Sequence, residues 1–198
     1  PELNDHSNEN LERPRSSHSN PTQKSKLDFN LALSSATKLY EELVALSNDK
    51  QVIDALDRYP EQLNAMKQLH ISKIDDRVAV LGAMAAIKCF DKLGHANLNS
   101  DEGLVLCLFL SQILSPEIPH ILEDEESMRS PEGIRLRQTT YDTFKNNVHI
   151  SFNENNIVLI DLLRNEGVDD TTVNKFTVML YRFARVIAEA DENINKTE

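Results

Sequence analysis

The sequence predicts an all-α protein, a helical bundle containing two pseudo-repeated helix–turn–helix hairpins. Apolar residues recur three and four positions apart along most of the chain, glycine occurs only 5 times in 198 residues, and alternating β-branched runs are nearly absent. That spacing marks the buried stripe of an amphipathic helix. The third observation is a turn-and-cap motif that occurs twice, each time after a long apolar helix.

The elements follow in order. Leu33, Ala36, Leu39, Tyr40, Leu43 and Leu46 form a first stripe. Ile53 and Leu56 begin a shorter helix, which Pro60 ends or restarts, and Leu63, Met66 and Leu69 mark the next. Asp75 or Asp76 caps a long apolar helix from Val78 to about Leu93. Asn99 or Ser100 opens another, running to about Leu114, where Pro116 and Pro119 stop it. The acidic run 123–126 reads as a solvated loop or helix face. Ser130-Pro131-Glu132 reads as a helix start, with serine as cap and proline in the first helical position. Ile134, Tyr141, Phe144 and Val148 mark the buried side of that helix, and Ile157, Ile160 and Leu163 that of the next, which Gly167 closes. Asp169 or Asp170 caps a final long helix, its inner face formed by Val173, Phe176, Leu180, Phe183 and Ile187.

Residues 1–26 differ from this body. Leu3 and Leu11 are their only large apolar residues, and Pro1, Pro14 and Pro21 stand among serines and asparagines. Too little surface can be buried there to offset the entropy of ordering, so a disordered N-terminal arm is expected. Its acids (Glu2, Asp5, Glu9, Glu12) balance its bases (Arg13, Arg15, Lys24, Lys26), so the net charge of −11 rests on residues 27–198, the expected acidic bundle. Such a body repels phosphate backbones, which argues against a nucleic-acid partner. The apolar run 104–114 is too short to span a bilayer and reads as a core helix, and no transmembrane segment is expected. Cys89 and Cys107 lie in apolar helical runs with no disulfide or metal spacing, which fits buried thiols in a reducing, cytoplasmic setting.

The repeated motif joins Gly94-His95-Ala96-Asn97-Leu98-Asn99-Ser100-Asp101-Glu102 with Ala190-Asp191-Glu192-Asn193-Ile194-Asn195-Lys196-Thr197-Glu198. Both contain asparagine, an aliphatic residue, asparagine, two further residues and glutamate. The preceding helices share a phase, Val80, Met84 and Ile87 aligning with Phe176, Leu180 and Phe183. Asn99 and Asn195 suit N-caps, and Glu102 and Glu198 stand where a carboxylate can reach back to the cap amide. Leu98 and Ile194 precede the cap as apolar staples. The last residues have the composition of a helix start, so the chain is expected to continue past Glu198.

The second copy resembles the signature of TerB-like domains, named for tellurite resistance: Ala-Asp-Gly-x-Ile-Ser-x-x-Glu after an apolar helix. Ala190, Asp191, Ile194 and Glu198 fall on that pattern, while Glu192 replaces the usual glycine and Asn195 the usual serine. In the first copy His95 stands where aspartate is usual, and Leu98 and Glu102 match. The resemblance covers about residues 74–198. It implies a bundle of two pseudo-symmetric halves, acidic turns proposed to bind a divalent metal, and a module fused to other domains, such as J-domains or ATPases, in bacterial stress and phage-defence systems.

Three functions compete on these residues. A metal sensor would use Asp191, Asn193, Asn195, Glu198 and Glu102 as oxygen ligands for Ca²⁺ or Mg²⁺, cations that prefer such donors. Counted from Asp191, however, the sixth position is Lys196 rather than the glycine of a calcium loop. A pair of capping boxes without an ion accounts for the same residues. A small hydrolase has little support, because no Gly-x-Ser-x-Gly, His-x-x-x-His or phosphate-cradling glycine loop is present. A non-catalytic interaction or regulatory module, acting on a protein partner or an attached downstream domain, fits best. The bases Arg129, Arg135 and Arg137 either meet an acidic partner or form a solvated helix face.

Overall fold

The computed structural model describes residues 27–58, 74–92, 97–114, 124–152 and 159–190, with the backbone alone over 147–152. Its regular structure consists of helices: α1 (Phe29–Asn48), α2 (Lys50–Leu56), α3 (Asp76–Lys92), α4 (Asp101–Ile113), α5 (Glu125–Arg129), α6 (Pro131–Phe152), α7 (Leu159–Asn165) and α8 (Asp170–Ala190). The all-α bundle is as expected. Residues 1–26, the stretch around Leu63, Met66 and Leu69, and the second copy of the motif beyond Ala190 lie outside the described residues.

Helix α4 is the centre. Leu104 to Leu110 are wholly buried, and α1, α3, α6 and α8 all pack against it. An unbroken apolar run has no polar stripe to turn toward water, so neighbours must surround it. Phe109 of α4 meets Phe183 of α8 with ring centroids 5.3 Å apart. The α8 stripe Val173, Phe176, Leu180, Phe183 and Ile187 is buried throughout. In α1 the buried line is Ala32, Ala36, Leu39, Leu43 and Leu46, with Leu33 and Tyr40 only half-buried on its flank. The small Ala32 and Ala36 let α1 approach its neighbours closely. Among the described residues, no helix is long and apolar enough to cross a membrane.

The helix ends follow local chemistry. Asp28 accepts from the Leu31 amide at 3.0 Å, and Asp49 from the amides of Gln51 and Val52. Asp75 caps α3 and also receives Nε and Nη2 of the buried Arg77, each at 3.0 Å; Nη1 of Arg77 reaches Asp57 at the end of α2. Burial pushes the Asp75 carboxyl up, but its bonds to Arg77 and the charge of that residue outweigh this and leave it lowered. Asp169 caps α8 through the Thr172 amide, and Ser130 caps α6 through Gly133. Gly167 adopts φ +75°, its N–H meeting Arg164 O while Val168 N–H meets Leu163 O, and this pair of bonds closes α7.

Of the two forms expected for the acidic run, its described part takes the helix: Asp124 accepts from the Ser127 amide at 2.6 Å and starts the short helix α5, with Asp124 and Glu126 exposed. On α6, Tyr141 and Phe144 are buried as expected, but Gly133, Arg137 and Thr140 share that side, and Ile134 is only half-buried. Tyr141 ties α6 to α3, donating to Asp91 at 3.1 Å and setting its ring edge-on to Phe90. The six positions aligned between α3 and α8 are all buried. The helices differ otherwise, since α3 is buried almost all round and α8 along one stripe.

Candidate functional site

The first copy of the motif forms a turn over residues 97–100. Asn97 Oδ1 accepts from the Asn99 amide at 2.9 Å, and the Ser100 amide donates to Asn97 O. The N-cap of α4 is Ser100, whose hydroxyl accepts from Gly103 N–H at 3.2 Å. Asn99 is exposed and one residue too early. Glu102 therefore occupies the second helical position rather than the third, and is 1% exposed. Leu98 packs at the edge of the core as a staple should. A side chain at Gly103 would collide with the Leu98 backbone, so only glycine lets the turn lie this close to α4. Ser100→Ala should cost about 1 kcal/mol in urea unfolding. Asn99→Ala should change stability by less than about 0.5 kcal/mol. Equal losses from the two variants would count against this assignment.

Arg137 locks the turn from α6. It is 3% exposed, and Nη1 donates to Leu98 O at 2.8 Å and Ser100 O at 3.4 Å. Its own carbonyl accepts from the Cys107 thiol at 3.6 Å. Burial pulls the Arg137 guanidinium down, and pushes the Cys107 thiol up to about 12. A thiol so placed stays protonated and unreactive at neutral pH. Arg129 pairs with Asp101 at 2.6 Å and with Glu125 at 2.8 Å. Of the three arginines, Arg135 alone is exposed, so they form no common basic patch.

Among the expected metal ligands, Glu102 is buried beside the first turn, while Asp191, Asn193, Asn195 and Glu198 lie outside the described residues. Every histidine side chain also lies outside them. Among the described residues, no three His, Cys, Asp or Glu side chains gather closely enough to hold a metal ion.

A second feature stands out between α1 and α8. The Asp169 amide at the start of α8 donates to Gln51, just after α1, so the two helices run antiparallel. Leu31, Ser35 and Lys38 of α1 face Met179, Arg182 and Val186 of α8 across a groove of about 280 Å³, with Arg185 and Glu189 at its far end. The large apolar side chains exposed among the described residues belong to these two helices: Leu31 at 51%, Val178 at 44% and Tyr181 at 71%. Lys38, Arg182 and Arg185 are exposed, and the single acid in the lining, Glu189, accepts from Arg185 Nε at 2.6 Å.

These groove residues escaped the reading of the sequence, although α8 carried a signal. One buried stripe needs only Val173, Phe176, Leu180, Phe183 and Ile187. Val178, Met179, Tyr181 and Val186 are left over, on the side that also bears Arg182 and Arg185. A surplus of apolar residues among surface cations marks a helix with a second face to cover. No protein-family model, curated protein or solved structure matches this chain.

Proposed function

We propose that the chain is a non-catalytic protein-interaction module that works through the outer face of α1 and α8. The observation that carries this reading is that the large apolar side chains exposed among the described residues, Leu31, Val178 and Tyr181, all belong to one pair of packed helices, α1 and α8. Scattered surface leucines are ordinary, whereas exposed apolar side chains confined to two neighbouring helices that also bear exposed cations suit a surface that a partner covers. Tyrosine and arginine, enriched at the centres of interfaces, are both present. The TerB-like resemblance supports the wider assignment, a regulatory module of a multidomain bacterial stress or phage-defence protein.

A photo-crosslinking residue in place of Tyr181, compared with one in place of the exposed Arg135 on α6, tests the reading in cells. The expected result is a discrete adduct from position 181 and none from position 135. The captured protein, once purified, should bind the intact chain and lose that binding with Val178→Asp. Equal adducts from both positions, or an adduct whose binding ignores Val178→Asp, would reject the reading.

A further inference from the structure

The groove between α1 and α8 carries a charge opposite to that of the protein around it. Lys38, Arg182 and Arg185 surround an apolar floor of Leu31, Met179 and Val186, on a chain whose net charge is −11. Among the described residues, Lys38 and Arg182 make no ion pair, and Glu189 engages Arg185 through Nε alone. A guanidinium has five N–H donors, so Arg185 keeps donors for another acceptor.

From this we infer that the groove docks an acidic amphipathic helix of a partner protein. Its carboxylates pair with Lys38, Arg182 and Arg185, and its aliphatic side chains seat on Leu31, Met179 and Val186. The inference rests on the interaction-module reading and names the partner's chemistry. Two antiparallel helices leave a furrow that a third can fill, with anchors at i, i+3, i+4 and i+7. The volume of about 280 Å³ lies at the bottom of the range for small-molecule cavities, and suits side-chain knobs better than a whole cofactor. Charge decides between the anionic alternatives. A nucleic acid or anionic bilayer extends its negative charge well past the groove, over a body of the same sign. A short helix keeps its carboxylates within reach of the three cations, and beyond about 10 Å salt screens the rest.

The test uses the full chain and labelled peptides of about four helical turns, built from leucine, alanine and glutamate with leucines at the anchor spacing. A counterpart replaces every glutamate by lysine. Fluorescence anisotropy should show binding of the glutamate peptide, weakening as salt rises, and none of the lysine peptide. Arg182→Glu and Lys38→Glu should each weaken binding about tenfold, with thermal unfolding unchanged because both side chains are on the surface. Glu189→Gln should tighten it two- to threefold, roughly the worth of one exposed charge contact. Equal binding of both peptides, no glutamate-peptide binding up to about 1 mM (about −4 kcal/mol), or preferential binding to phosphatidylserine vesicles overturns the inference. If the glutamate peptide fails while position 181 still crosslinks a partner, only the acidic chemistry is lost. If both fail, the module reading falls as well.

Discussion

Phe109→Ala is expected to destabilise the protein by about 3–5 kcal/mol, the range for emptying a large aromatic site in a core. Phe109 is wholly buried in the middle of α4, tilted 53° against Phe183 of α8. Removing the ring forfeits its transfer free energy and leaves a void that α4 cannot close, because packed helices surround it. Domains of this kind are stable by only about 5–15 kcal/mol, so the variant should lose a large fraction of its stability. Urea unfolding followed by circular dichroism measures the loss. Leu31→Ala, at a half-exposed site, should cost less than about 0.5 kcal/mol in the same assay. A Phe109→Ala loss below about 1 kcal/mol would mean that α4 is not the core helix.

The second large effect concerns Arg137, where two terms oppose each other. Arg137→Ala removes a charged donor from Leu98 O and Ser100 O, worth about 1.5–3 kcal/mol for such bonds. It also leaves a cavity under the turn. Against this, the cost of holding a buried cation is recovered, and Nε already lacks a hydrogen bond. The first two terms should prevail, for a net loss of about 2–4 kcal/mol. Arg137→Met fills the space without the charge and should lose about 1–2 kcal/mol less than the alanine variant. Amide exchange at Ser100 and Gly103 should quicken in both, since their bonds shape the turn that Arg137 holds. Unchanged exchange, or a methionine variant as stable as the parent chain, would show that the arginine does not lock this turn.

Much of the fold was legible because it depends on neighbours in the chain. The α8 stripe repeats with the helix turn, so its five buried residues were readable from spacing alone. Ser130-Pro131 and Gly167 announce helix ends through their own backbone preferences. The cap of α4 was legible only to within one residue, because asparagine and serine both offer an oxygen. Which of them serves depends on how closely Leu98 lies against Gly103. The acidic run left loop and helix face equally open, and the helix forms over its described part because the Asp124 carboxylate accepts from the Ser127 amide and opens α5.

The sequence by itself determined an acidic, all-helical chain, with the phase of most helices and the positions of several caps. These follow from periodicity and from side chains that reach only a few residues along the backbone. The tertiary structure alone decided that Arg137 lies buried while Arg135 meets solvent, a difference invisible in their composition and created by the docking of α6 on the 97–100 turn. It also decided that Leu31 and Lys38 share a groove with Arg182 and Val186, residues at opposite ends of the described chain. Apolar burial fixes how much surface must be covered but carries no direction, so which helices meet follows from packing shape across the whole bundle.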